Sequence, residues 1–181
     1  MLENNKYSFD AFLFSDVASR VKAINSYDVL SGIFIEVPAT IEKTEQWANA
    51  IVQNSSRKDF VLRDREGKAI AFSGLVNIQQ KHRTAELYIF ISDQAKGKGV
   101  GSKLLECTLK YAQDELNLRK ITLYVTEGNE AAVRFYKKFG FNEEGCLIKH
   151  SWHRGKYLDR YIYSLFLEGF KSSLNIYKEM L

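Results

Sequence analysis

Cysteine and proline are scarce in this chain, and no long apolar run occurs. Two cysteines, Cys107 and Cys146, are too few for a disulfide framework. No CxxC or Cys/His ligand spacing accompanies them, so no metal is expected. Both read as buried structural thiols rather than nucleophiles. The only proline, Pro38, favours an extended chain just ahead of a helix, and no repeat or low-complexity segment stands out. No apolar run approaches the ~20 residues that cross a bilayer, so a membrane partner is not expected. The N-terminal stretch "MLENNKYSFD" lacks the basic-then-apolar profile of a secretion signal, and a cytoplasmic location is expected. Charge of one sign is lacking too. The net charge of +4 comes from 26 basic and 22 acidic residues, interleaved along the chain, without the concentrated basic face of a nucleic-acid binder.

What is present suits one domain with a real core: 181 residues, 45% hydrophobic and 27% charged. Tyr7 to Phe14 alternates as a strand, and Ser15 and Asp16 can cap a helix running to about Tyr27. A second helix after Thr40 carries Trp47, Ile51 and Val52. "DFVLRD", "KAIAFSGLVNIQQ" and "TAELYIFI" read as strands whose short connections make them antiparallel hairpins. In "SKLLECTLKYAQDEL", Leu104, Leu105, Thr108, Leu109, Ala112 and Leu116 recur on one helical face. "RKITLYVT" is a strand with Ile121, Leu123 and Val125 on one side. Asn129 caps the helix "EAAVRFYKKF", and Gly140 stands where a helix C-terminus wants one. A closing hairpin turns around Arg154, Gly155 and Lys156, and 168–181 read as a helical extension to a single domain of 1–167. The expected fold class is α/β (α+β): a mixed, mostly antiparallel sheet covered by helices.

The turn "KGKGVGS", residues 96–102, places three glycines on alternate positions immediately before a helix. A strand, a glycine-rich turn and a helix N-terminus make an anion site, because free amides point outward and the helix dipole adds positive charge. Lys96, Lys98 and Lys103 would add formal charge. A Walker loop is excluded, since no Gly-Lys here is followed by Ser or Thr. The run Gly97-Lys98-Gly99-Val100-Gly101-Ser102 nearly meets a dinucleotide fingerprint. That motif opens a parallel unit, however, whereas hairpins precede this one and only about eighty residues follow.

The turn together with "NEAAVRFYKKFGF" resembles the GNAT superfamily of acyl-CoA-dependent N-acetyltransferases. The family's turn has the form Gln/Arg-x-x-Gly-x-Gly/Ala, matched at Gly99 and Gly101 with Lys96 in the leading place. Its downstream helix has the form Asn-x-x-Ala-x-x-x-Tyr-x-x-x-Gly-Phe, matched at Asn129, Ala132, Tyr136, Gly140 and Phe141. "AELYIFI" and "GKYLDRYIY" extend the likeness to about Tyr7–Leu167, within the branch that contains spermidine and ribosomal-protein N-terminal acetyltransferases. The resemblance implies a GNAT fold of about seven strands, acetyl-CoA as co-substrate, and backbone contacts from Ile89, Phe90 and Ile91 to the pantetheine arm. The cofactor set it implies is those three residues, Lys96 to Ser102, Asn129, Ala132 and Lys137.

Acyl transfer to an amine requires that the ammonium, with a pKa near ~10.4, lose a proton, that an oxyanion find a donor, and that a thiolate leave. By resemblance Tyr136 protonates the thiolate; without the motif it would read as packing beside Phe135, Phe139 and Phe141. Glu86, a strand carboxylate, is either the base, acting directly or through water, or a solvent-facing residue. His82, His150 and His153 carry no ligand pattern. Tyr157 and Asp159 read equally as acceptor-pocket residues and as stabilisers of the last hairpin. Arg134, Lys137 and Lys138 read as a solvated helix face or as contacts to the coenzyme's ribose phosphate. Glu36, Glu42 and Glu45 would attract a cationic amine, although Glu42 and Glu45 also suit a helix first turn. The expected partner is a small-molecule amine, either a polyamine or an amino sugar, with direct attack and no acetyl-enzyme; a homodimer is left open. A protein N-terminus is the alternative acceptor. A non-catalytic acyl-CoA-binding module and a Rossmann-like nucleotide binder are the competing classes.

Overall fold

The computed structural model describes residues 6–26, 29, 38–153 and 155–171. Its strands are β1 (Ser8–Ala11), β2 (Lys58–Arg63), β3 (Ala69–Gln79), β4 (Thr84–Ile91), β5 (Lys120–Thr126), β6 (Asn142–His153) and β7 (Lys156–Phe166). They form one sheet in the order β1-β2-β3-β4-β5-β7-β6. Every neighbouring pair is antiparallel except β4 with β5. Parallel neighbours need a crossover, and here it is the helix α3 (Val100–Asp114). The other helices described are α1 (Val17–Ile24), α2 (Ile41–Ile51) and α4 (Glu130–Lys138).

Alternation along each strand sends successive side chains to opposite faces, and both faces are covered. Phe60, Leu62 and Leu87 pack with Leu104, Leu105 and Leu109 of α3. Val61, Phe72 and Phe90 pack with Ala23 and Ile24 of α1. On β4 this parity matters for chemistry. Ala85, Leu87, Ile89 and Ile91 share the α3 side, whereas Phe90 and Tyr88 face α1, and Glu86 has their parity.

Several boundaries differ from the sequence expectation. β1 stops at Ala11, and Phe14–Asp16 form a single 3-10 turn. Asp16 explains it: its carboxylate accepts the Leu13 N–H at 2.8 Å and pairs with Arg63 at 2.6 and 2.8 Å. That carboxylate therefore does not cap α1, and Ser15 lies inside the turn. α1 ends at Ile24 because Asn25 turns to grip the Ala39 backbone, accepting from its N–H and donating to its carbonyl; Tyr27 lies outside the described residues. Thr40 caps α2 by accepting the Lys43 N–H, and Val52 falls beyond that helix, exposed. Cys107 is buried as expected, but Cys146 is exposed, because β6 is an edge strand with an open face. Of the expected extension, Glu168 and Gly169 form a turn, and 172–181 lie outside the described residues.

Candidate active site

β4 and β5 pair only from Thr84–Lys120 to Glu86–Thr122. Beyond that point β4 continues to Ile91 on β3, and β5 to Thr126 on β7. The two strands therefore diverge, and their facing edges carry peptide groups that do not pair across the gap, although each backbone N–H and C=O requires a partner. A cleft of about 760 Å³ opens there. Ile89, Ile91, Asn129, Ala132 and Tyr136 line one part of it, and Arg20, Trp47, Arg57, Tyr88 and Phe90 another.

The glycine turn abuts the first part. Gly97 and Gly99 take φ of 72° and 75°, a left-handed region where side chains are strained. Gly99 is the N-cap of α3 and supplies no side-chain cap, so the first-turn amides of that helix have no side-chain partner from it. Gly101 has a different reason. A Cβ there would lie 2.6 Å from Ile91 Cδ1, so the group that closes on the turn at this point is the chain's own β4. Val100 and Gly101 are buried, Ser102 is half-buried, and Lys96 lines the cleft. The Lys96 ammonium lies 2.6 Å from Asp93, whose carboxyl it holds below its ordinary range, and Lys98 donates to the Gln94 carbonyl at 2.8 Å.

Asn129 caps α4 by accepting the Ala132 N–H at 3.1 Å. One helical turn beyond Ala132, Tyr136 is 8% exposed, with its ring 5.2 Å from Phe135 and 5.6 Å from Phe141. It is thus a packing residue and a cleft-lining one at once. Among the described residues no hydrogen bond engages its hydroxyl, and burial holds its pKa above the ordinary phenol range. The group stays protonated and available as a donor. Lys137 and Lys138 are exposed, and Arg134 pairs with Glu130 on the solvent face.

Glu86 also lines the cleft and accepts from Asn77 Nδ2 at 3.2 Å. Arg160 lies near it on β7, with its guanidinium 4.6 Å from the Tyr124 ring centroid; burial lowers its pKa, against the opposing charge of Glu86. Tyr157 and Asp159 are not among the lining residues. Tyr157 is exposed and packs edge-on against Trp152, while Asp159 accepts the Lys149 N–H at 2.6 Å, where β6 bulges. Both hold the hairpin. Glu36 lies outside the described residues. Glu42 lies in the first turn of α2, and Glu42 and Glu45 do not line the cleft.

The second part of the cleft contains residues that sequence reasoning missed. Arg20 is buried on α1, with its guanidinium 4.0 Å from the Trp47 ring and 5.0 Å from Phe90, and it donates to the Tyr88 hydroxyl at 3.3 Å. Tyr88 in turn donates to Asp59, which binds Arg57 through both oxygens at 2.7 and 2.8 Å. Gly74 makes this possible. It stands opposite both Asp59 and Tyr88 in register, and a Cβ there would fall 2.2 Å from the Tyr88 ring. Burial raises the Tyr88 pKa to about 12. One signal was available in the sequence: Arg20 occupies the apolar stripe of α1 between Val17 and Ile24, where a charge is costly unless it has work to do.

The family model for the acetyltransferase (GNAT) family matches residues 27–141. The chain belongs to this family. It is 33% identical over 135 residues to a spermidine N(1)-acetyltransferase of Vibrio cholerae, covering 75% of this chain and 78% of the relative. To the Escherichia coli K12 spermidine N(1)-acetyltransferase it is 34% identical over 106 residues, 59% of this chain and 56% of that one. The fold superposes with a TM-score of 0.86 on a Vibrio cholerae spermidine N-acetyltransferase in complex with CoA and spermine, at 28% identity over 92% of this chain and 99% of that one. This GNAT protein is an acetyl-CoA-dependent N-acetyltransferase with a mixed, mostly antiparallel seven-stranded sheet. A Rossmann-like arrangement is overturned by the sheet, in which β4 and β5 are the one parallel pair among the described strands. No helix among the described residues is long and apolar enough to cross a membrane.

Proposed function

We propose that this acetyltransferase moves the acetyl group directly to a primary amine of a small molecule, a polyamine or an amino sugar. The observation that carries the reading is the divergence of β4 from β5 beside a protonated, cleft-lining Tyr136. Acetyl-CoA would supply an activated thioester. The open edge of β4 at Ile89–Ile91 suits an extended amide-bearing arm, and the left-handed turn at Gly97 and Gly99, followed by α3, suits its diphosphate. Tyr136 holds the proton that the departing sulfur needs. Glu86, on the α1-facing side of β4 and oriented by Asn77, is the carboxylate best located to receive the amine's proton, directly or through water.

Spermidine is the acceptor that the relatives' names carry, so it belongs in the first assay. The test is release of CoA from acetyl-CoA across polyamines, amino sugars, amino acids and short peptides. Turnover confined to peptide N-termini would refute the small-molecule acceptor. Glu86→Gln should lower kcat/KM for the amine about tenfold or more and shift the acidic limb of its pH profile; an unchanged profile would move the base elsewhere. We also propose self-association, supported by the open edge of β6, where Ile148 and Trp152 are exposed, and measurable by sedimentation.

A further inference from the structure

Side chains alternate between the two faces along β3 as far as Val76, which stands opposite Glu86 and lines the cleft with it. There the register slips. The next pair is Gln79 with Thr84, so Asn77 and Ile78 together stand opposite Ala85. One extra residue on one strand is a β-bulge, a device that re-aims a side chain beside an active site. Without it Asn77 would follow Leu75 onto the α3 side of the sheet. Ile78 takes that place instead, 7% exposed in the core shared with α3, and its N–H donates to the Ser56 carbonyl at 2.9 Å. Asn77 is left exposed, with its side-chain amide donating to Glu86 Oε2 at 3.2 Å. The bulge holds Asn77 at a φ of 52°, in the left-handed region that asparagine tolerates better than most residues. Glycine would meet the backbone requirement with less strain. What glycine cannot supply is the amide.

We propose that Asn77 is a positioning residue for the acetyl transfer: the bulge turns its amide onto Glu86 Oε2, which fixes the carboxylate and leaves Oε1 to take the proton of the acceptor ammonium. This rests on Glu86 being the base and deepens that reading. In the step, an N–H bond of the ammonium breaks and an O–H bond forms at Oε1. The electron pair left on nitrogen then attacks the thioester carbonyl carbon. A carboxylate at the end of several rotatable bonds would otherwise sample orientations that miss the amine, and correct placement of a reacting group is a large part of catalysis. An N–H donated to a carboxylate also favours its ionised form, the form a base needs. Among the described residues, Arg160 of β7 and Thr122 and Tyr124 of β5 also face Glu86. Tyr88 shares its parity on β4, but the Tyr88 hydroxyl donates to Asp59. The device serves any primary ammonium, that of spermidine included.

The test uses the full chain at saturating acetyl-CoA and follows the pH dependence of kcat/KM by CoA release, with spermidine or the best amine of the acceptor screen. The amine's own ionisation is common to every variant and cancels in the comparison. Asn77→Gly keeps the bulge and removes the amide. Its melting temperature should hold or rise, while kcat/KM at neutral pH falls ~3- to 10-fold and the acidic limb moves up by about half a pH unit. Asn77→Asp also suits a left-handed bulge, but it sets a second carboxylate beside Glu86. The limb should then move further in the same direction, and ~0.5 M salt should draw the extra displacement back. In a Glu86→Gln background neither change should displace the limb. If Glu86→Gln abolishes the limb but neither folded Asn77 variant moves it, the inference is overturned and Glu86 remains the base. A loss of kcat/KM equal at every pH and tracking a loss of melting temperature would make Asn77 a structural residue only. A displacement that persists without the Glu86 carboxylate would show that Asn77 acts on some other group, which also overturns the inference. An unchanged limb in Glu86→Gln alone, or no turnover with any amine, would remove both readings together.

Discussion

The two ends of the cleft are built from different materials. At the end proposed for the donor the functional groups are mostly peptide amides: the diverging edges of β4 and β5, and the first turn of α3 behind Gly97 and Gly99. At the end proposed for the acceptor they are side chains, Arg20, Arg57, Asp59 and Tyr88, brought together from α1, β4 and the chain entering β2. Backbone chemistry depends on conformation, and conformation constrains sequence locally, through glycines, caps and their spacing. Side-chain chemistry depends on which distant segments meet. The first end can therefore be read from a motif, and the second only from the fold.

The largest expected effect is on the donor end, at Gly99. Its φ of 75° would strain a β-branched residue, although nothing lies within 4 Å of the added Cβ. Gly99→Val should therefore fold, at a cost of roughly 1–3 kcal/mol, but with the turn's amides pointed elsewhere. Acetyl-CoA at about a hundred times its Kd should stabilise the wild type by about 2.7 kcal/mol and the variant hardly at all. A thermal shift of equal size in both proteins would mean that the turn is not the diphosphate cradle, and the contrast between the two ends would lose its basis.

Tyr136→Phe comes next, with kcat expected to fall ~10²-fold or more while the KM for acetyl-CoA holds. The pH dependence sharpens it. Burial raises the phenol pKa above its ordinary value, so the protonated form is present throughout the window below ~10, and the alkaline limb of kcat should not come from this group. A wild-type limb near neutrality that disappears in the Phe variant would show the hydroxyl ionising where it should not. Full kcat in the variant would leave Tyr136 a packing residue only.

Legibility follows the same division. The alternating β2–β4 hairpins, the apolar stripe of α3 and the two glycine-bounded helices were plain in the sequence, because each signal lies within a few residues of the element it specifies. Asp16 shows where that fails. It reads locally as a helix cap, yet Arg63, 47 positions away, claims its carboxylate and folds the preceding segment into a turn. Asp59 reads as an ordinary polar residue opening a strand, and Gly74 as a weak point in one. Only the register that sets them side by side with Tyr88 shows that the missing side chain makes room for the phenol. Tyr157 and Asp159 read ambiguously for the same reason: the Trp152 ring and the Lys149 amide that they meet lie on the other strand of the hairpin.

A smaller effect is expected at the acceptor end from Asp59→Ala. The change strips Arg57 of its paired carboxylate and Tyr88 of its acceptor, both in partly buried surroundings. Stability should drop by about 2–4 kcal/mol. The acetyl-CoA KM should stay near wild type, because no donor-end amide depends on Asp59, while the acceptor KM rises. Calorimetry and steady-state kinetics on one preparation would separate the two. A parallel rise in both KM values would mean that the ends are coupled through the sheet, and that treating them as separately built is wrong.

The smallest effect belongs to Gly101, which lies in the donor motif but owes its identity to packing. An alanine Cβ would meet Ile91 Cδ1 at 2.6 Å, and Cδ1 is the end of a flexible side chain that can rotate away. Gly101→Ala is also relieved of glycine's entropy, which favours alanine in a helix by up to ~1 kcal/mol. The two terms nearly cancel, so the melting temperature should fall by only a degree or two, roughly half a kilocalorie for a chain of this length. Ile91→Val removes the clashing methyl group. Alone it should cost ~0.5–1.5 kcal/mol, but combined with Gly101→Ala it should cost less than the sum, because the cavity and the added methyl fill one another. Strict additivity in that double-mutant cycle would place the demand for glycine at 101 with the bound coenzyme instead of with Ile91, and would return this position to the purely backbone-built half of the cleft.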